Sequence, residues 1–237
     1  MLADTLQNLA GLKVKSRKGK EAVLELLPPA TEAEIQALEA RLPCPIPADV
    51  REALRVAKGL ANSPMGFSLV DLEGFGLEEV FPHAYSIADD GCGNFWVLDL
   101  LPGLTTWGPV FYACHDPAVV AYQSATLEDF LRESLAWRDS GSHNPIDHVV
   151  YRIWRENPGL LPGADLRDSA DAVLRAFAAS LPPNALVADL RQPAPGDGFS
   201  WGRFLGSELN IRRAGHERVW ALIPQERKPG ILRRLFR

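Results

Sequence analysis

The sequence predicts an α+β protein in which helices pack on a twisted, mainly antiparallel sheet. Helix caps and helical spacing of apolar residues characterise residues 31–59. From Phe67 to Tyr122, short apolar runs alternate with Gly, Pro and Asp, which is typical of strands. Both patterns return after residue 138. We therefore expect a main domain at residues 1–138 and a smaller C-terminal α+β unit at residues 139–237, which is either an extension or a second domain.

The first 30 residues predict a short amphipathic helix and a hairpin. Apolar residues within 2–9 suit the helix, and residues 12–14 and 22–26 suit the two strands. The intervening residues 13–20 are strongly basic. A solvated turn is favoured there over a nucleic-acid patch, because no aromatic residue interrupts the basic run.

Two helices should follow the hairpin. Thr31 and Glu34 have the spacing of a capping box, which predicts a helix over residues 31–42. Pro47 occupies the first-turn position of a second helix, and Gly59 is placed to cap its C-terminal end.

The central strands are predicted from apolar runs at residues 67–72, 95–100, 110–114 and 119–122. In the second run Trp96, Leu98 and Leu100 point to one side, whereas Phe95 and Val97 point to the other. A strand with large apolar residues on both faces is expected to be central and covered on both sides. Thr126 then caps a closing helix.

The C-terminal unit is expected to begin after a linker at residues 139–144. Apolar periodicity predicts helices at residues 145–156 and 169–181, and strands at residues 185–190, 201–205 and 218–223. The tail, residues 227–237, is basic and amphipathic. It is too short for a stable isolated helix, so docking on the protein body is favoured over membrane binding.

Composition is that of a soluble globular protein: 237 residues, 46% hydrophobic and 23% charged. No apolar run reaches the length of about 20 residues that spans a bilayer, and residues 1–6 do not resemble a signal peptide. Three widely spaced cysteines, Cys44, Cys92 and Cys114, fit reduced thiols better than a disulfide framework, although a Cys92–Cys114 pair stays open. We expect a cytoplasmic protein.

Charge is distributed unevenly along the chain. Residues 21–138 carry six basic and eighteen acidic side chains, whereas the segments on either side are net basic. A segment this acidic is expected to repel nucleic acid and to attract basic proteins. The alternative is that the acidic residues only keep the protein soluble.

No residue cluster predicts catalysis, so we expect no enzyme, no cofactor and no metal. Cys114, His115 and Asp116 are adjacent, and neighbouring strand residues point to opposite faces, so these side chains are poorly placed to form a triad. The glycine-rich turn at residues 89–94 lacks the ligand spacing of a calcium loop. A tight turn, whose rigid rim displays Asp89 and Asp90, is favoured over a calcium-binding loop.

The order of these patterns resembles the SUKH superfamily over roughly residues 28–138. The resemblance rests on the capped helix after Pro28, the Leu-Pro that ends it, and the second helix from Pro47. The acidic Gly-rich turn with its strand, and the helix behind Thr126, complete the series. This superfamily includes yeast cell-wall-synthesis regulators and many bacterial immunity proteins.

The resemblance implies a non-enzymatic binding protein, with a cognate toxin protein as partner. We expect an immunity protein that neutralises a secreted antibacterial toxin, of a basic, nuclease type, through its acidic surface. The alternative is a regulatory scaffold that recruits several partners. We expect neither nucleic acid nor a membrane as partner, and the oligomeric state stays open. The candidate contact residues are Asp71, Glu73, Glu78, Glu79, Asp89 and Asp90, with Phe75 or Trp107 as an exposed aromatic hot spot.

Overall fold

The computed structural model of the chain describes residues 1–15, 20–70, 80–134, 146–201 and 209–224. Within these ranges the α-helices are α1 (Leu2–Leu9), α2 (Glu32–Glu39), α3 (Ala48–Val56), α4 (Leu127–Ser134), α5 (Ile146–Glu156) and α6 (Ala172–Ala179). The strands of the first part are β1 (Lys13–Lys15), β2 (Glu21–Val23), β3 (Glu25–Leu26), β4 (Gly59–Ala61), β5 (Gly66–Ser68), β6 (Ala84–Asp89), β7 (Phe95–Asp99), β8 (Val110–His115) and β9 (Ala118–Ser124). The strands of the C-terminal part are β10 (Leu160–Pro162), β11 (Leu186–Asp189), β12 (Gly198–Ser200), β13 (Leu209–Arg213) and β14 (Val219–Pro224).

The main sheet has eight antiparallel strands in the order β12-β9-β8-β7-β6-β5-β4-β3. From β3 to β9 the strands follow one another in chain order, so each new strand pairs with the one before it. The exception is β12, which returns from the C-terminal part and pairs with β9 at the edge. The α+β class predicted from the sequence is confirmed.

Both faces of the main sheet are covered by apolar side chains. Trp96 and Leu98 of β7 pack with α1 to α5 in the largest hydrophobic cluster. Val97, between them in sequence, points the other way and packs against Trp220 and Leu222 of β14. The prediction that this strand is central and covered on both sides is therefore confirmed.

The C-terminal part adds two further layers. Strands β10-β11-β14-β13 form an antiparallel sheet that lies over the second face of the main sheet. Phe177 and Leu181 of the α6 region pack on the outer face of this smaller sheet, against Val187 and Val219. The two parts thus share two hydrophobic clusters and one strand pairing. The division between residues 138 and 139 stays a prediction, because it lies outside the described residues.

Several local predictions are confirmed. The N-terminal helix and the β1–β2 hairpin form as expected. The backbone N–H of Glu34 donates to Thr31 Oγ1 at 3.2 Å, and the backbone N–H of Thr31 donates to the Glu34 carboxylate at 2.7 Å. This is the predicted capping box. Thr126 caps α4 in the same way, through the backbone N–H of Asp129 at 3.0 Å.

The assignment of Gly59 as a helix cap is wrong. Helix α3 ends at Val56, and Ala57 is already extended. Gly59 is the first residue of β4, and a Cβ atom built there would lie 2.3 Å from the backbone oxygen of Phe67. Glycine is required at this position because two strands approach closely, and a helix cap with the same residue looks identical in sequence.

Two other elements differ from the prediction in their bounds. Helix α2 ends at Glu39, three residues before the expected end, and α6 begins at Ala172 behind an Asp171 cap. The chain before that cap contains a separate 3-10 turn at Asp165–Asp168. The strand expected at residues 201–205 lies almost wholly outside the described residues, as do the linker and the basic tail.

None of the helices in the described part of the chain is both long and apolar enough to cross a membrane.

Candidate functional site

The acidic turn between β6 and β7 is held in place by Asp90. Its Oδ1 atom accepts the backbone N–H groups of Cys92 at 2.7 Å and Asn94 at 3.1 Å. Its Oδ2 atom accepts the Asn94 side-chain amide at 2.7 Å and the Tyr112 hydroxyl at 3.0 Å. With four donors, the Asp90 carboxylate fixes the turn to β8, so its first role is structural.

Asp89 stands at the end of β6, next to this anchor. Its Oδ1 atom accepts the backbone N–H of Gly91 at 2.7 Å, and its side chain is only partly buried. Gly91 and Gly93 have φ values of 76° and 90°, as expected for a turn that needs left-handed residues. Asp89 is thus a negative charge presented on a preorganised loop.

His115 closes the other side of the turn. Its backbone N–H donates to Asn94 Oδ1 at 3.0 Å, and its ring Nδ1 lies 2.7 Å from the same oxygen. The ring also covers Gly93, where a Cβ atom would lie 3.2 Å from His115 Cε1. The histidine therefore acts as a clamp that ties the end of β8 to the turn.

Cys114 is not poised for nucleophilic chemistry. The thiol is buried among apolar side chains, whereas the neighbouring His115 is exposed. Burial is the main cause that raises the pKa of the Cys114 thiol to about 11, and the charges of Asp90 and Asp147 raise it further. The thiol therefore stays protonated at neutral pH. Cys114 and His115 thus lie on opposite faces of β8, as expected for adjacent residues of a strand.

The charges of Asp90 and Asp147 also show where the acidic surface extends. Burial raises the pKa of the Tyr112 phenol well above its usual range, and Asp90 and Asp147 add to that shift. Asp147 belongs to the first turn of α5. The N-terminal end of α5 therefore lies near the acidic turn, a proximity across more than 50 residues that spacing in the sequence does not reveal.

Of the predicted contact residues, only three lie within the described residues. Asp89 and Asp90 occupy the turn as expected, and Trp107 is the third. The expectation that Trp107 is exposed is wrong: it is 4% exposed and packs against Tyr85, with tilted rings whose centroids are 5.4 Å apart. The residues just before Trp107 are Thr105 and Thr106, so the local sequence provides no indication that the tryptophan is buried. The remaining candidates lie outside the described residues: Asp71, Glu73, Phe75, Glu78 and Glu79.

The most deeply buried carboxylate among the described residues was not predicted from the sequence. Asp99, at the end of β7, is 1% exposed and accepts both terminal nitrogens of Arg213 at 2.7 Å. Arg218 Nε donates to Asp99 Oδ2 at 3.0 Å. These ion pairs join the main sheet to the β13–β14 hairpin, so Asp99 has a structural role. The only signal of this role in the sequence is that Asp99 is a charged residue at the end of an apolar strand.

Exposed aromatic residues occur on α5. Tyr151 and Trp154 are 51% and 39% exposed, and their rings meet edge to face with centroids 6.5 Å apart. The apolar rhythm of this helix in the sequence includes Trp154, which predicted a buried side chain, whereas Tyr151 lies outside that rhythm and was given no role. Within the described ranges, no group of three or more His, Cys, Asp or Glu side chains is arranged to hold a metal ion. The three cysteines are unpaired, so the Cys92–Cys114 disulfide does not form.

Comparison with known proteins identifies the main domain. Residues 29–133 match the model of the SMI1 / KNR4 family (SUKH-1), which agrees with the resemblance found in the sequence patterns. No curated protein and no solved structure matches the chain significantly. The matched segment begins just before α2 and ends within α4, and it contains the acidic turn. Residues 29–133 of this chain are thus similar to the SMI1 / KNR4 family (SUKH-1).

Proposed function

We propose that the chain is an immunity protein that binds and neutralises a secreted antibacterial toxin, whose toxic domain is basic and of nuclease type. The observation that carries this proposal is the coincidence of the SUKH-1 match with the acidic segment. Residues 21–138 hold eighteen acidic and six basic side chains, and residues 29–133 are the matched domain. A basic cleft built for phosphates attracts such a surface electrostatically.

The acidic turn is the part of this surface that suits recognition best. Asp89 is fixed by its bond to the Gly91 amide, and Asp90 holds the whole turn. A charge displayed on a fixed loop loses little conformational entropy on binding, which favours both affinity and rapid association. Asp147 extends the same negative field toward α5.

The protein acts, in this proposal, by occupying its partner and not by catalysis. Support comes from the roles of the groups that first suggested chemistry, since Cys114 is buried and protonated and His115 is a clamp for the turn. The three unpaired cysteines favour a reducing compartment, so we further propose that the protein works in the cytoplasm.

The experiment is affinity capture of partners from the native lysate at low and high salt, followed by identification and by binding kinetics with the purified partner. We expect one stoichiometric basic partner whose capture weakens with salt. Asp89→Asn keeps an oxygen acceptor for the Gly91 amide but removes the charge, so it should lower the association rate at low salt only. Asp49→Asn, an exposed acid on α3, is the matched control. A partner that binds Asp89→Asn and the native protein equally well at low salt would remove the turn from the interface.

A second candidate function is a regulatory scaffold of the cell-wall-synthesis-regulator type. The observation that favours it is the C-terminal part, which lies outside the matched segment yet adds a complete sheet to the fold. A scaffold would retain several partners of modest affinity, and their capture would survive high salt. That result would replace the toxin proposal.

A further inference from the structure

The exposed surface of α5 has an unusual composition for a surface helix. The described residues include five exposed large hydrophobic side chains, and three of them fall within eleven residues of sequence: Tyr151, Trp154 and Leu161. Buried Ile146, Val150 and Ile153 hold the opposite side of α5 against the main domain. The aromatic pair lies outside this buried set. Tyrosine and tryptophan are the residues most enriched at interface hot spots.

Charges flank the aromatic pair in a self-complementary way. Asp147, Tyr151 and Arg155 follow one another at intervals of four residues, so they form a single row along the helix surface. At a rise of 1.5 Å per residue, the Cα atoms of Asp147 and Arg155 lie about 6 Å along the helix axis on either side of that of Tyr151. All three side chains are exposed, and Arg155 forms no ion pair with any residue in the described part of the chain.

We propose that this row, Asp147–Tyr151–Arg155 with Trp154 beside it, is a contact surface for a second copy of the chain. If two α5 helices pack antiparallel about a two-fold axis through Tyr151, each Asp147 faces Arg155 of the other copy. An isologous contact requires such reciprocity, in which residue i meets residue j and residue j meets residue i. A parallel arrangement would instead place like charges opposite each other. The charge pattern therefore selects both the partner and its orientation.

The contact is expected to be weak. One short helix from each copy covers less area than the roughly 1,200–2,000 Å² of a standard stable interface. The dissociation constant should therefore lie in the micromolar range or above, and the protein should be monomeric when dilute. The two aromatic rings supply most of the apolar contact, whereas the two ion pairs set the orientation.

The test is sedimentation velocity on the full chain from about 1 µM to about 500 µM, a range chosen to bracket that affinity. We expect the native protein to shift toward twice its monomer mass as concentration rises, and the variant Tyr151→Ala/Trp154→Ala to stay monomeric. Val23→Ala, which shortens an exposed hydrophobic residue on the β1–β2 hairpin, should dimerise like the native protein. A native protein that remains monomeric throughout overturns the proposal. So does a dimer that the double alanine variant leaves intact.

Two further variant sets test the orientation. Arg155→Asp should weaken the dimer at least several-fold, and the exchange Asp147→Arg/Arg155→Asp should restore it. Glu156→Arg, an exposed neighbour outside the row, is the charge control. In a Cys92→Ser background, Tyr151→Cys should crosslink readily on oxidation, because a residue on a two-fold axis meets its own copy. Equal crosslinking of Glu156→Cys, or no rescue by the charge exchange, would overturn the antiparallel contact. Circular dichroism confirms that each variant is folded.

Discussion

Loss of the Asp99 charge should be one of the most damaging single changes available in this fold. The Asp99 side chain is fully buried, Arg213 is 5% exposed, and Arg218 is 17% exposed. Asp99→Asn keeps the size of the side chain but leaves two guanidinium groups without their carboxylate. Breaking a buried ion pair by removing one partner costs about 3–5 kcal/mol. For a chain of this length that corresponds to a fall in Tm of roughly 6–20 °C.

Urea and thermal unfolding of Asp99→Asn, followed by circular dichroism, measure this loss. The matched control is Glu128→Gln, which removes a partly exposed carboxylate that pairs with exposed Arg132 and with the exposed N-terminal amine. That change should cost less than about 1 kcal/mol. Near-ultraviolet dichroism gives a second readout, because the Arg213 guanidinium lies 5.1 Å above the Trp220 ring.

A second variant separates charge burial from packing. Replacing the whole network, as Asp99→Leu/Arg213→Met/Arg218→Met, removes every buried charge while keeping apolar volume. The triple variant should therefore be more stable than Asp99→Asn alone. If Asp99→Asn costs no more than Glu128→Gln, the ion pairs do not stabilise the junction and this reasoning is refuted.

Three other predictions concern single residues. Gly59→Ala should destabilise the protein by about 1–3 kcal/mol in urea unfolding, because the added Cβ would lie 2.3 Å from the Phe67 oxygen; an unchanged midpoint would contradict the close approach. Hydrogen bonds from Thr31 and Lys58 lower the pKa of Glu34 to about 2. Since a depressed carboxyl pKa stabilises the fold above its unfolded value near 4.5, the advantage of the native protein over Glu34→Gln should fade between pH 4.5 and about 2; an advantage independent of pH would argue against the capping box as its source. Iodoacetamide at pH 8 should modify exposed Cys92 and spare buried Cys114, whose thiol pKa is about 11; mass spectrometry of the native protein checks this, and equal labelling would contradict the burial of Cys114.

Local signals in the sequence predicted the helices well. The capping box of Thr31 and the N-cap of Thr126 are short-range interactions, so the residues that make them are close in sequence. Alternation in residues 95–100 correctly predicted a strand covered on both sides, since the pleat itself sends successive side chains to opposite faces.

Short strands were harder to predict. Strand β6 was missed because its run of Ala, Tyr, Ser and Ile is weakly apolar, and β4 was concealed behind a glycine that also suits a helix end. Strands β10 and β13 are edges of the smaller sheet and carry Pro162 or alternating Arg and Asn. The partner of β10 is β11, more than 20 residues along the chain, whereas β13 forms a hairpin with β14. In both cases the pairing, more than the local sequence, decides the strand conformation.

The candidate site was predicted only in part. The acidic turn was found because Gly91 and Gly93 mark it locally, and its two aspartates are where the pattern suggested. Trp107 was misassigned because burial of an isolated tryptophan depends on which side chains close over it, here Tyr85. The role of Asp90 as an anchor could not be predicted, because Tyr112 reaches it from a different strand.

The sequence by itself determined the class of the fold, the similarity of residues 29–133 to the SUKH-1 family and the sign of the charge there, because these depend on composition, order and short-range periodicity. Tertiary structure decided what no local pattern contains. It returned β12 to the edge of the main sheet, and it neutralised Asp99 with two arginines more than 100 residues away. It also left Tyr151 and Trp154 exposed on a helix whose other side is buried. Burial and pairing between distant segments follow from the packing of whole layers, and that packing is settled only when the complete chain folds.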